Sequence, residues 1–300
     1  MSSSITGGKS QQFPIANIES AFKIRKPARP LSDHVESLWI YKGTAAGGET
    51  ERILPTGTFE LVINLRQNEL SFHDPGPDGS QSRFSGAIIS GAHGCGLMPR
   101  NPDQIFLIGA HFKPGGAFPF LGLPAGEVAD THADLAAVWG SSADPLRESL
   151  CEAKTSAGRF HILERFLLQR LRHDVEQHYA VQAALEIFRK HAAGTKISEA
   201  AKYVGLSQRR FIQAFKTEVG LTPKLFSRIQ RFQRARIFIQ RGPSPDWPGL
   251  ALDLGYFDQS HLIREFVEFS GFSPTDYLNH QKELLRTWRP GGRENEVPNS

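Results

Sequence analysis

The sequence predicts an α+β protein in which a β-rich N-terminal domain with trailing helices precedes an all-α C-terminal domain. Three observations carry this prediction. Short apolar runs rich in β-branched and aromatic residues fill the chain up to about residue 120, helical periodicity follows Pro124, and the last third repeats one helical unit. The 300 residues suffice for two domains of ordinary size, and a hydrophobic share of 39% supplies their cores.

The N-terminal strands are predicted from four apolar runs between Pro30 and Phe120, each bounded by residues that favour turns. The runs are HVESLWIY, FELVINL, GAIISG and QIFLIGAHF. Short strands separated by such turns are typical of a small barrel or sandwich. The terminal residues 1–12 and 284–300 show no such pattern, and we expect both tails to be disordered.

Helices are predicted after the strands. In the run DPLRESLCEAK, Asp144 is placed to cap a helix whose first position holds Pro145. A longer helix over residues 158–173 carries an apolar stripe, which consists of Phe160, Leu163, Leu167 and Leu171. That helix either packs on its own sheet, joins the two domains or pairs with a second copy of the chain. We place the N-terminal domain at residues 13–175 and the C-terminal domain at residues 182–283.

The net charge of +4 is unevenly distributed along the chain. Residues 1–158 carry −3, whereas residues 182–283 carry +5. Between Ser207 and Arg241 there are nine basic residues and a single acid, Glu218. Such a local excess indicates binding of a polyanion such as nucleic acid, although a solvated helix face has the same composition.

The C-terminal domain contains the same helical unit twice. The first copy is AKYVGLSQRRFIQAFKTEVGLTP, and the second is ALDLGYFDQSHLIREFVEFSGFSP, which has one more residue before its second helix. In each copy a glycine, Gly205 or Gly255, allows the positive φ of a tight turn. A residue that can cap a helix, Ser207 or Asp258, follows the turn. Helix, tight turn and capped helix together predict two helix-turn-helix units.

The second helix of such a unit enters the DNA major groove, so its outward side chains are candidates for contacting bases. With the Phe and Leu positions facing the core, the outward residues are Gln208, Arg209, Ile212 and Gln213 in the first copy and Gln259, Ser260, Ile263 and Arg264 in the second. Gln and Arg can form paired hydrogen bonds with adenine and guanine edges. Two such helices flanking a basic segment favour DNA over a merely solvated surface.

The segment between the two copies, KLFSRIQRFQRARIFIQRG, predicts one long helix with a row of three arginines. We expect it to hold the two second helices about 34 Å apart, the spacing of successive major grooves. Phosphate contacts position a protein on DNA without reading sequence. The side chains predicted to make them are Arg210, Lys216, Arg228, Arg231 and Arg234.

The C-terminal third resembles the DNA-binding domain of AraC/XylS-type transcriptional regulators. The resemblance rests on ISEAAKYVGLSQRRF, on the long helix, and on GYFDQSHLIREF followed by GFSP. It implies a transcription regulator that binds an asymmetric site in double-stranded promoter DNA. The base-reading residues that it implies are Arg209, Ile212, Gln213, Gln259, Ser260 and Arg264. The apolar Ile212 departs from the polar residues common in such helices, so the first unit is expected to read fewer bases or to contact a thymine methyl.

The N-terminal half resembles β-rich, sensor-like domains that are often found ahead of such DNA-binding domains. The similar stretches are RILPTGTFELVINL and HFKPGGAFPFLGLPA. The resemblance implies a cupin-like fold. It leaves three candidate roles for this half, which are binding a small-molecule effector, forming a homodimer and recruiting RNA polymerase.

A cupin-type metal-dependent enzyme or metal sensor is the alternative interpretation. Four metal-binding side chains lie in or near predicted strands, namely His73, His93, Cys95 and His111. The cluster of two His and a nearby Glu that we would expect at barrel spacing is missing from the sequence. No Ser-His-Asp set or carboxylate pair stands out, and KPGGA lacks the spacing of a phosphate-binding loop. We therefore expect no metal, no cofactor and no enzymatic activity.

The cellular compartment is predicted from cysteine usage and hydropathy. Two cysteines are too few for a disulfide framework and fit a reducing compartment. The first residues lack the apolar core of a signal peptide, and no apolar run is long enough to span a bilayer. We expect a cytoplasmic protein that does not bind membranes.

Overall fold

The computed structural model describes residues 21–43, 54–73, 81–92, 98–99, 105–190, 197–241 and 246–279. Both terminal tails for which we expect disorder lie outside these ranges. In the ranges that are described, no helix is long and apolar enough to cross a membrane.

Nine strands form two antiparallel sheets in the described part of the N-terminal domain. They are β1 (Ala21–Arg25), β2 (Val35–Gly43), β3 (Glu60–Asn64), β4 (Glu69–His73), β5 (Gln81–Ser85), β6 (Ala87–Ser90), β7 (Met98–Pro99), β8 (Ile105–Phe112) and β9 (His132–Asp134). The larger sheet has the order β1-β2-β8-β3-β6-β9, and the smaller has the order β5-β4-β7. The four predicted runs form β2, β3, β6 and β8.

One face of the larger sheet packs on helices, so alternate residues of β3 lie in the core. Leu61 and Ile63 of β3 are fully buried in the core that the helices share. The opposite face carries the Trp39 side chain, which lies across Gly109 of β8. A Cβ atom on Gly109 would lie 2.4 Å from the Trp39 ring, so only glycine leaves room for it there.

The described part of the N-terminal domain also contains five α-helices, α1 (Leu31–His34), α2 (Phe118–Leu121), α3 (Leu135–Trp139), α4 (Ala143–Glu152) and α5 (Ser156–Arg170), and two short 3-10 helices, Ala125–Glu127 and Gly140–Ser142. The predicted apolar stripe of α5 is buried. Glu164 of this helix pairs with Arg25 of β1 at 3.3 Å, and Arg170 lies over the ring of Trp139. Of the three interpretations of α5, packing on its own domain is therefore the one observed.

The predicted N-cap of α4 is wrong. The helix begins at Ala143 with Ser142 as N-cap, and no side chain accepts a cap hydrogen bond there. Asp144 instead lies in the first turn, where its negative charge interacts favourably with the positive end of the helix dipole.

In its described residues the C-terminal domain contains α6 (Tyr179–Lys190), α7 (Ile197–Tyr203), α8 (Gln208–Val219), α9 (Pro223–Arg241), α10 (Trp247–Asp253) and α11 (Gln259–Ser270), and residues 274–279 are also helical. Helix α9 belongs to two aromatic clusters. Near its start Phe226 packs on Phe215 with ring centroids 5.5 Å apart, and further along Phe232 packs on Phe266 at 5.0 Å. Helix α9 thus packs on both repeated units. With a β-rich domain followed by a helical one, the predicted α+β class is confirmed.

Candidate nucleic-acid interface

Both repeated units form the helix-turn-helix geometry through the same backbone contacts. Gly205 has φ of +70° and Gly255 has φ of +78°, so each turn uses the left-handed conformation that favours glycine. In the first unit the N–H of Leu206 donates to the Ala201 carbonyl at 3.1 Å. In the second, the N–H of Tyr256 donates to the Ala251 carbonyl at 2.8 Å. The repeat in sequence is therefore a repeat in structure.

The second helix of each unit is capped at both ends. Ser207 Oγ accepts a hydrogen bond from the Arg210 N–H at 3.4 Å, and Asp258 Oδ1 accepts one from the His261 N–H at 2.7 Å. The helices end at glycines in the left-handed conformation, Gly220 and Gly271. These caps satisfy backbone groups at both helix ends and so define where α8 and α11 begin and end.

The six residues predicted to read bases lie on the outer faces of α8 and α11. Four of them are exposed, namely Arg209, Gln213, Ser260 and Arg264. Ile212 and Gln259 are half-buried. The inner faces are formed by large side chains that are fully buried, namely Phe211, Phe215, Leu262 and Phe266. Contacts of these residues with bases stay a prediction. Such contacts require the side chains to lie on the outer faces of the helices, and they do.

Of the residues predicted to contact phosphates, two are exposed on α8 and three are engaged inside the domain. Arg210 and Lys216 are exposed. The Arg228 Nε donates to Glu265 at 2.7 Å, and the Arg231 Nε and Nη2 donate to the same carboxylate at 2.8 to 3.0 Å. Arg234 donates to the carbonyls of the last turn of α6, at Phe188 and Arg189.

These internal partners argue against phosphate contacts by Arg228, Arg231 and Arg234. The Arg231 side chain is only 13% exposed, and its guanidinium lies 4.4 Å from the centroid of the Tyr256 ring. Burial disfavours the Arg231 charge, but the hydrogen bonds with Glu265 and the negative charge of its carboxylate together outweigh that effect and raise the pKa of Arg231. The row of arginines therefore fastens α9 to α11 and α6, and Arg210 and Lys216 remain the candidates for phosphate contacts.

The acid on which these arginines depend, Glu265, was not among the residues predicted from the sequence. Glu265 is 2% exposed and lies between Leu262 and Phe266 on the inward face of α11. An acid at an inward position of a helix predicts a buried basic partner, because an isolated charge is not stable in a core. The row of arginines on α9 supplies such basic partners, so the two features together could have predicted this ion pair.

The N-terminal domain contacts the C-terminal domain in at least two places. Residues 125–127 lie against Lys216 of α8, and the loop that leads into β3 lies against α9. The Gln233 Nε2 of α9 donates to the Pro55 carbonyl at 2.6 Å, and the Gln230 Nε2 donates to the Thr56 carbonyl at 3.2 Å. Gly57 has φ of +74°, and a Cβ atom there would lie 3.1 Å from the Phe226 ring. One hydrophobic core runs through both domains.

A chain of polar contacts continues from this loop to the larger sheet. The hydroxyls of Thr56 and Thr58 lie 2.6 Å apart, and Thr58 Oγ1 lies 3.3 Å from His111 Nε2. The other ring nitrogen of His111, Nδ1, lies 2.8 Å from Glu60 Oε1. Side chains on the β3–β8 ladder are thereby connected to the residues that hold α9.

The four side chains proposed for a metal site are only partly described. His93 and Cys95 lie outside the described residues, and His111 is engaged by Glu60 and Thr58. Within the described ranges, no three His, Cys, Asp or Glu side chains are grouped closely enough to hold a metal ion.

Comparison with known proteins identifies both halves of the chain with domain families. Residues 200–280 match a helix-turn-helix domain, and residues 23–134 match a domain of unknown function, DUF6597. No match was found among curated proteins. The match at residues 200–280 agrees with the two helix-turn-helix units predicted there and indicates a DNA-binding domain in the C-terminal third, as the resemblance to AraC/XylS-type regulators implies.

Solved structures give similarities at low sequence identity. A variant of ToxT from Vibrio cholerae is 10% identical, with 81% of this chain and 97% of that chain covered and a TM-score of 0.46. An AraC-type regulator from Chromobacterium violaceum is 21% identical over 37% and 95% of the two chains, with a TM-score of 0.31. The DNA-binding domain of AdpA in complex with a target DNA is 17% identical over 35% and 93%, with a TM-score of 0.33.

Proposed function

We propose that this regulator reads one asymmetric DNA site with α8 and α11, and that its N-terminal domain controls how these helices engage the site. The observation that carries the proposal is the repeated unit, which presents a polar outer face on each capped second helix. Paired hydrogen bonds from Arg and Gln side chains to guanine and adenine edges would supply sequence preference. Contacts of Arg210 and Lys216 with phosphates would supply position and affinity.

Control by the N-terminal domain is proposed from the contacts between the loop at residues 54–59 and α9. Because α9 joins both units, a ligand that favours one arrangement of this loop would change the relation between α8 and α11. Helix α5, one of whose possible roles was to join the two domains, packs on its own domain, so the loop is the proposed carrier of this coupling. A small organic molecule is the proposed effector, and dimerisation or contact with RNA polymerase are the alternatives. The site of action is the cytoplasm, where promoter DNA is accessible.

Selection of duplexes from a random pool by the full-length protein tests this proposal. We expect a preferred site whose affinity falls linearly with salt on a double-logarithmic plot, because bound phosphates release counterions. Repeating the selection with candidate metabolites is expected to change affinity or site preference for at least one of them. Failure to enrich any site would contradict sequence-specific binding. Enrichment that no metabolite alters would contradict control by a small molecule.

Replacing Arg264 with alanine is expected to relax base preference at one position of the selected site and to weaken binding there by about 1–3 kcal/mol. Arg210→Ala is the matched control, because Arg210 is also exposed but is assigned to phosphate. It is expected to weaken binding to all duplexes about equally and to lower the salt slope by about one. Binding of each variant to single-base variants of the site measures both effects. A uniform loss from Arg264→Ala would remove this residue from the base-reading set.

A further inference from the structure

The second unit contains one residue more than the first between its turn glycine and its cap, and that residue is unusually exposed. The first unit has only Leu206 in this place, and Leu206 is half-buried against the core. In the second unit Tyr256 takes the buried position with 3% exposure. The added residue is Phe257, which is 85% exposed, the highest value among the large hydrophobic side chains that the structure describes.

The backbone beneath Phe257 is held in place by hydrogen bonds and ring contacts. The Phe257 N–H donates to His261 Nδ1 at 3.3 Å, and the His261 N–H donates to the Asp258 cap. The His261 ring meets the buried Tyr256 ring edge-on at 5.3 Å, and Tyr256 is in turn covered by Arg231. The Phe257 ring is therefore presented from a defined position at the start of α11.

The Phe257 ring could in principle pack on its own helix, but in the structure it does not. An apolar residue just before a helix cap often packs on the fourth residue of the helix, which fixes the direction of the chain. The corresponding partner here is Leu262, which is fully buried, whereas Phe257 is 85% exposed. Single exposed apolar residues are common in proteins, so exposure alone does not indicate a function for Phe257. What indicates one is that Phe257 lies next to Gln259 and Ser260, which are predicted to contact bases.

We propose that Phe257 contacts the 5-methyl group of a thymine in the bound DNA and thereby contributes to base preference. The first residues of the second helix lie against base edges in a helix-turn-helix complex. In the major groove the thymine methyl is the apolar group that base edges offer, and Phe is among the side chains that contact it. The inference rests on the proposed function, because it requires α11 to enter the major groove.

Replacing thymine with deoxyuridine tests the contact, because it removes the methyl group and leaves the hydrogen-bonding edge unchanged. Each thymine of the selected site is replaced in turn, and affinities are measured for the full-length protein and for Phe257→Ser. We expect one replacement to weaken wild-type binding about fourfold, the effect of one buried methyl group. The same replacement should leave binding by Phe257→Ser unchanged.

Phe238→Ser is the matched control, because Phe238 is a half-exposed phenylalanine on α9 outside the proposed interface. Phe238→Ser should respond to each deoxyuridine replacement as the wild type does. The thermal unfolding temperature of Phe257→Ser should equal that of the wild type. If Phe257→Ser responds to every deoxyuridine as the wild type does, or weakens all duplexes equally, the inference is overturned while the proposed function stands. If the wild type selects no site at all, both are overturned.

Discussion

Replacing Glu265 with alanine is expected to lower the free energy of unfolding of the C-terminal domain by about 3–5 kcal/mol. The Glu265 side chain is 2% exposed and accepts hydrogen bonds from Arg228 and Arg231. Alanine would leave the Arg231 guanidinium largely buried without its carboxylate. The cost of an unpaired buried charge far exceeds that of losing an ion pair at the surface. Denaturant unfolding of the full-length chain, followed by the helical circular dichroism signal, measures the loss.

Two further variants separate burial of the charge from loss of a contact. Glu268 also pairs with Arg228, but its side chain is 56% exposed, so Glu268→Ala is expected to cost less than about 1 kcal/mol. The double variant Arg231→Met with Glu265→Leu removes both charges and is expected to recover most of the stability, since apolar pairs often replace buried ion pairs without loss. If Glu265→Ala and Glu268→Ala lowered the free energy of unfolding equally, burial of the Arg231–Glu265 pair would contribute nothing to stability.

The features that sequence predicts correctly in this domain are local. A glycine turn, a capping side chain and a left-handed glycine end are each decided within a few residues. Gly205 and Gly255 therefore occupy their expected conformations, and Ser207 and Asp258 accept their cap hydrogen bonds. The repeat strengthens the prediction because two copies satisfy the same pattern.

The features that sequence analysis missed depend on pairs of residues far apart in the chain. Arg231 meets Glu265 across 34 positions, and Gln233 meets Pro55 across 178. Helical spacing indicates that the arginines form a row on α9, but only tertiary packing shows that this row faces α11 and α6. A count of basic residues therefore overstates the charge that is available to DNA.

A buried acid at the end of α8 is expected to make folding stability depend on pH near neutrality. Glu218 is 5% exposed, and burial raises the pKa of its carboxyl from 4.5 to about 7, although a hydrogen bond from the His178 N–H opposes the shift. Its other oxygen, Oε2, is buried without a hydrogen-bond partner in the described residues. His178 directly precedes α6, so this carboxyl connects the start of α6 to the end of α8.

The direction of the pH dependence follows from which state binds the proton more tightly. The folded chain keeps the Glu218 proton up to about pH 7, whereas in the unfolded chain this proton is lost near pH 4.5. Stability should therefore fall as pH rises between these values, by at most about 3 kcal/mol, and level off above pH 7.

Glu218→Gln removes the titration and keeps an acceptor for the His178 N–H. We expect its unfolding free energy, relative to that of the wild type, to rise by about 2–3 kcal/mol between pH 5 and pH 8. Glu218→Ala also lacks the titration but loses the acceptor, so its profile should be parallel to that of Glu218→Gln and lie below it at every pH. Denaturant unfolding of the three proteins at pH 5, 6, 7 and 8 measures these differences. Parallel profiles for the wild type and Glu218→Gln would mean that the carboxyl is already ionised in the folded chain at pH 5, contrary to what its burial requires.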